Sequence, residues 1–225
     1  MDLYYYLLLV VPALLLSLIA QARVQSAYKR YSKLPNLRGL TGARAAEAVL
    51  AHYGVQGVRI EHVRGRLNDH YDPRDNVIRL SDGVYGGCSV AAVGIACHEA
   101  GHAAQYALGY VPIRVRNGLL RPAQIGSQIS WPLAIVGLFL GSQPLVLFGI
   151  ILYVAVMLFQ LITLPVEFNA SRRALAVIDE TGLLSGAERD GAAKVLRAAA
   201  MTYVAAFAVT AANLLRLLLL ANRRN

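Results

Sequence analysis

Pro144 to Leu164 is an apolar run without a single charged residue, long enough to cross the hydrocarbon core of a bilayer as one helix. No other feature of the 225 residues limits the fold so strongly. Three more stretches point the same way. Leu3 to Ala20 is a first apolar run, with Tyr4, Tyr5 and Tyr6 where interfacial aromatic side chains belong. It reads as a span and not as a cleaved signal peptide, because basic residues follow it and none precedes it. Ile129 to Leu140, lengthened by Gln124 to Gln128, is joined to the Pro144 run by Gly141-Ser142-Gln143, which predicts a tight antiparallel helical hairpin. Ala198 to Leu220 is apolar but carries Asn213 and Arg216. It either spans or lies against the other helices with Arg216 snorkelling to the interface. Composition agrees: 16% of residues are charged and the mean hydropathy is +0.47, where an ordinary soluble domain is about 25% charged.

Charge sets the orientation. Arg23, Lys29, Arg30, Lys33, Arg38 and Arg44 follow the first span with no acidic residue before Glu47, so that side is expected in the cytoplasm and the N-terminus outside. With the 125–164 hairpin dipping out and back, region 21–124 and the chain after Leu164 share a compartment. Arg223 and Arg224 fit poorly with a final helix that ends outside, which leaves its topology open. The excess of 22 basic over 13 acidic residues is accounted for by topology and anionic lipid headgroups. Nucleic-acid binding calls for basic residues interleaved with exposed aromatic ones on a folded face, and none is expected. Cys88 and Cys97, in a reducing compartment, read as small buried residues.

The stretch most charged with chemistry is His98-Glu99-Ala100-Gly101-His102. On a helix, residues i and i+4 share a face, so His98 and His102 converge on one metal ion. Glu99 lies about 100° around from His98, placed to touch water at the metal and not to ligate it. Ser89 to Leu108 contains no proline, opens on Ser89 as an N-cap and closes on Gly109, so the motif falls inside a helix, 89–108. A pair of histidines merely bonded to neighbours is the bland alternative, but a glutamate in so apolar a stretch is costly without a metal or partner. Zinc-dependent hydrolysis is the chemistry this pattern suggests.

Around it, Thr41 to Tyr53 reads as a short helix capped by Thr41 and stopped by Gly54. Val58 to Val63 and Val77 to Leu80 read as strands, and Asn68 to Asn76 as a turn. Val77, Ile78, Arg79 and Leu80 are the candidate edge strand for binding an extended peptide. A catalytic zinc takes three protein ligands; His52, His62, His70 and carboxylates on the same side, Glu167 among them, are candidates for the third.

His70-Tyr71-Asp72-Pro73, Leu80-Ser81, Ala96 to Gln105 and Glu167-Phe168-Asn169-Ala170-Ser171-Arg172-Arg173-Ala174 carry a resemblance over essentially the whole chain. The sequence resembles the YugP-like family of bacterial membrane-bound neutral zinc metallopeptidases. That resemblance implies one Zn2+ per chain held by His98, His102 and Glu167, with Glu99 as general base. In related membrane peptidases an acidic residue follows the ligand glutamate by four; here Ser171 stands there, so Ser171, Asn169 or a backbone carbonyl is left to orient a histidine. His70, Tyr71 and Arg173 are the candidates for oxyanion or substrate contacts.

The expected fold is an α+β integral membrane protein, mainly α. It comprises an N-terminal span (1–20), a small zincin-like cytoplasmic unit (21–124), a hairpin (125–164), a cytoplasmic segment with the third ligand (165–197) and a final apolar helix (198–225). The expected partners are the lipid bilayer of the cell (inner) membrane and a peptide or protein substrate, itself membrane-associated. Two competing functions are a non-catalytic scaffold with a structural or vestigial zinc, and a site-2-type intramembrane protease with 89–108 as a span. The second lacks a Leu-Asp-Gly signature and would carry Arg114, Arg116 and Arg121 outside.

Overall fold

A computed structural model describes residues 2–222; Arg223 and Arg224 lie outside the described residues. α1 (Asp2–Tyr5), a π-helical turn (Tyr6–Val10) and α2 (Val11–Tyr31) run on as one helix. There follow α3 (Gly42–His52), β1 (Arg59–His62), β2 (His70–Asp72), β3 (Val77–Leu80), the short α4 (Asp82–Tyr85), α5 (Val90–Ala107), α6 (Val111–Leu140), α7 (Gln143–Thr181) and α8 (Gly186–Asn222). The protein is thus mostly helical with one small sheet. Among the described residues four helices are long and apolar enough to cross a membrane: Asp2–Tyr31, Val111–Leu140, Gln143–Thr181 and Gly186–Ala221. Each runs past the apolar stretch that reveals it. α5 is not among them.

The chain divides into two compact units. The first comprises Met1–Gln21, Val115–Leu164 and Met201–Asn225. Within it α6 and α7 form the antiparallel hairpin that the short linker predicts, turning at Gly141 (φ +65°). Small residues let the two backbones approach: a Cβ on Gly149 would lie 2.8 Å from Ser130 O, and one on Gly137 2.7 Å from Val146 N. Arg216 is buried within this unit. Its Nε and Nη2 donate to the Asp2 carboxylate at 2.7 and 2.8 Å, and its guanidinium lies 4.9 Å from the ring centres of Tyr6 and Trp131. Pairing and aromatic faces are what a buried charge on an apolar helix requires.

The second unit comprises Ala22–Arg114 and Pro165–Ala200. Its core is built around α5, whose buried Ala91, Ala96, Ala100 and Ala103 are small enough to admit neighbours closely. Against it pack Ala45, Ala46 and Val49 of α3, Ile78 and Leu80 of β3, Ala174 and Ile178 of α7, and Ala192 and Leu196 of α8. The caps are those read from the sequence. Thr41 Oγ1 accepts from the Arg44 amide and Ser89 Oγ from the Ala92 amide, while Gly54 and Gly109 take positive φ just past their helices.

The sheet corrects two expectations. Its order is β1-β3-β2, with β1 parallel and β2 antiparallel to β3. Val77, Ile78, Arg79 and Leu80 therefore form the central strand, and the edge strand assigned to them is wrong: both of their sides are paired. The free edges belong to β1 and β2. β2 lies inside Asn68 to Asn76, where Asp, Asn and Pro spell a turn. Three residues pair there, with Tyr71 packed on the core, and Arg79 on β3 reaches Asp72 at 3.1 Å and Asp75 at 2.6 Å, and Glu61 of β1 at 3.8 Å. One guanidinium thereby ties all three strands, a long-range contact that local turn chemistry does not reveal.

Candidate metal centre

His98 and His102 occupy successive turns of α5, with ring centres 4.7 Å apart. Between them Gly101 does a separate job. A Cβ there would stand 2.7 Å from Ala170 O, so its absence lets α7 lie directly on α5. Three residues before Ala170, Glu167 is carried to the two imidazoles. Its Oε2 lies 3.4 Å from His98 Nε2 and 3.7 Å from His102 Nε2, with the residue only 3% exposed.

These three groups, with one atom from each all within 4.8 Å of one another, are the candidate metal ligands among the described residues. Zinc bonds of about 2.0–2.1 Å at tetrahedral angles separate neighbouring ligand atoms by about 3.3 Å. The two imidazole-to-carboxylate distances already match that spacing. Two nitrogens and one carboxylate oxygen are a catalytic-zinc donor set, and each imidazole is anchored by its other nitrogen, as metal ligands require. The residues present therefore fit zinc. Burial pushes the Glu167 carboxyl up, but hydrogen bonds to His102 and His98 outweigh this and hold it well below the usual carboxylate range.

The anchoring partners differ. His98 Nδ1 meets Ser171 Oγ at 3.1 Å, on the residue expected to replace the acidic one of related peptidases. His102 Nδ1 meets Gln105 Oε1 at 3.0 Å. Gln105 Nε2 donates to Val166 O at 2.8 Å and to Asn169 Oδ1 at 3.0 Å, and Asn169 Oδ1 also accepts from Arg173 Nε at 2.9 Å. Gln105 was not singled out from the sequence. The signal was there: positions 98, 102 and 105 share one helix face, and a glutamine within so apolar a stretch needs partners.

Glu99 sits beside the cluster. Burial is the main influence on its carboxyl, which is pushed up to about 7; His98 and His70 pull it back, and Glu167 and Asp69 push it further. Its Oε2 accepts the Tyr71 amide of β2 at 3.1 Å. That amide faces away from β3, which sets the free edge of β2 next to Glu99.

The remaining candidates are scattered. Tyr71 donates its hydroxyl to Asn76 Oδ1 at 2.8 Å, so its backbone and not its phenol faces Glu99. His70 is exposed, with Nδ1 2.8 Å from Asn68 O. Because a carbonyl only accepts, Nδ1 carries the proton there. Arg173 lies over the Tyr53 ring at 5.3 Å. His52 pairs with Glu180 at 3.3 Å and His62 with Asp82 at 2.6 Å, so neither joins the cluster. Cys97, its thiol pushed up to about 12 by burial, faces Ala45 O in the core.

Residues 6–222 match the family model described as "Putative neutral zinc metallopeptidase". A curated relative, "Putative membrane protease YugP" of Bacillus subtilis (strain 168), is 44% identical over 215 residues, covering 96% of each chain. No solved structure matches.

Proposed function

The chain belongs to this family of neutral zinc metallopeptidases, and from that premise we propose that it is a membrane-bound zinc metalloendopeptidase. In this reading it hydrolyses peptide bonds at the cytoplasmic surface of the cell (inner) membrane, in membrane-associated or unfolded proteins. The observation that carries the reading is the convergence of His98 Nε2, His102 Nε2 and Glu167 Oε2 beside a half-buried glutamate that is not one of the three.

Zinc, when bound by His98, His102 and Glu167, supplies Lewis acidity to the scissile carbonyl and to the water that attacks it. Glu99 takes the proton of that water and passes it to the leaving amine, a role suited to a carboxyl pushed up to about 7. The Tyr71 amide fixes one Glu99 oxygen and leaves the other to move the proton. On the outer edge of β2 the Tyr71 amide is taken by Glu99, which leaves the Tyr71 carbonyl to accept a backbone hydrogen bond from an extended substrate, a contact that requires no particular sequence. Of the three groups considered for the oxyanion, His70 is the one with an exposed ring close enough to bias Glu99. Since its Nδ1 proton is given to Asn68, it can donate through Nε2 only as an imidazolium.

The basic segment from Arg23 to Arg44 supports the cytoplasmic assignment. Glu167 comes three positions after Leu164 on a helix that continues from an apolar span, which favours substrates held near the membrane. α5 is buried along most of its length in its own unit, which argues against the intramembrane reading.

The test uses full-length protein purified in detergent, with zinc counted per chain and turnover of an unfolded, dye-quenched protein followed. Wild type is expected to hold about one zinc, Glu167→Ala far less, and Glu99→Gln a full complement with turnover lower by several orders of magnitude. Turnover retained in Glu99→Gln sinks the mechanism; equal zinc in Glu167→Ala removes Glu167 as a ligand.

A further inference from the structure

Gln105 is fully buried, and the direction of its amide is not a free choice. Val166 O is a backbone carbonyl and can only accept, so the amide nitrogen points to α7 and the amide oxygen to His102. An amide oxygen also only accepts. His102 must therefore carry a proton on Nδ1, which makes Nε2, the nitrogen turned to Glu167, the one that gives up its proton to a metal. Ser171 imposes nothing comparable on His98, because a hydroxyl both donates and accepts.

We propose that Gln105 is a positioning residue for the metal centre: it locks His102 in the metal-ready tautomer and ties it to the same stretch of α7 that presents Glu167. Both ties, Val166 O and Asn169 Oδ1, lie within two residues of Glu167. Asn169 is held in turn by Arg173, whose guanidinium rests on Tyr53 next to the end of α3. This gives Arg173 a place in the support of the site without contact with substrate.

The inference rests on the zinc reading above, and the experiment separates the two. Zinc dissociation constants are measured on detergent-purified full-length protein by competition with a chromophoric chelator, alongside melting of the metal-free forms. Gln105→Leu is expected to bind zinc about 10- to 100-fold more weakly, and Gln105→Glu, which keeps an acceptor for His102 but turns an oxygen to the two acceptors on α7, to recover only part of that loss. A purely structural glutamine would lower metal-free melting while the folded protein bound zinc as wild type does, and that result overturns the proposal. Independently of any variant's folding, 15N NMR of the metal-free wild type at pH 8, with His102 assigned by its loss in His102→Asn, should show His102 protonated at Nδ1, whether or not Nε2 also holds a proton toward Glu167. Protonation at Nε2 alone overturns the proposal. Wild type that binds no zinc removes both readings together; wild type that binds while Gln105→Leu binds equally removes this one alone.

Discussion

Glu99 is held in the metal-free fold at a cost to stability. An unfolded glutamate titrates near 4.5, and in the metal-free fold burial pushes Glu99 up to about 7. Between those values the folded chain holds a proton the unfolded chain has lost, so stability falls as pH rises through the interval and stays low above it. Gln keeps an oxygen to accept the Tyr71 amide and removes the titration. Metal-free Glu99→Gln should therefore melt above wild type at pH 8, by about 1–3 kcal/mol, and the gap should close toward pH 5. Melting curves of chelator-stripped protein at the two pH values check this. A gap that is absent at pH 8 means that Glu99 is solvated and not held at a cost. His98, Glu99 and His102 were legible from spacing alone, because a helix makes spacing into geometry. Gln105 and Ser171 were not equally so: one partner of each contact lies some 60 to 70 residues away on α7, and sequence order says nothing of which face of α7 meets α5.

At the scale of elements, the site is a meeting of α5 with α7, and Gly101 governs how closely they meet. Alanine in a helix is ordinarily better than glycine by about 0.5–1 kcal/mol, but here the added methyl would press on a backbone oxygen 2.7 Å away that cannot rotate aside. Overpacking of that kind costs about 1–3 kcal/mol, so the penalty wins. Gly101→Ala should lower the melting temperature and weaken zinc binding together, since the helices part at the level of Glu167. Gly118→Ala on α6, where nothing lies within 4 Å, is the control and should leave zinc binding unchanged. Zinc binding untouched in Gly101→Ala would show that the helix contact does not set the ligand spacing. The same scale shows where sequence reading ran out. α3 and α5 announce themselves by caps and stop signals that act locally. β2 does not, because what holds it is distant in sequence, Arg79 on β3, Glu99 on α5 and the core beneath Tyr71, and without β2 the central place of β3 is invisible.

For the molecule as a whole, the open question in the sequence was the final helix, and Arg216 bears on it. Within the first unit the C-terminal part of α8 meets the very start of the chain, since Arg216 pairs with Asp2 through two hydrogen bonds while Tyr6 and Trp131 cover its guanidinium. A helix that crosses the membrane antiparallel to Asp2–Tyr31 brings these residues together. The sequence bias from Arg223 and Arg224 argues for the other orientation, so the pair and its aromatic cover have to outweigh it. Reporters of compartment fused to either terminus should therefore give the same answer. Asp2 is partly exposed, so losing it alone leaves Arg216 short of a partner at a cost of about 1–3 kcal/mol. Asp2→Asn should lower melting in detergent by that amount and make the C-terminal reporter's answer mixed. Asp2→Asn combined with Arg216→Leu should restore melting, because an apolar pair needs no clasp. Opposite compartments for the two termini in the wild type would mean that α8 lies along the membrane without crossing it.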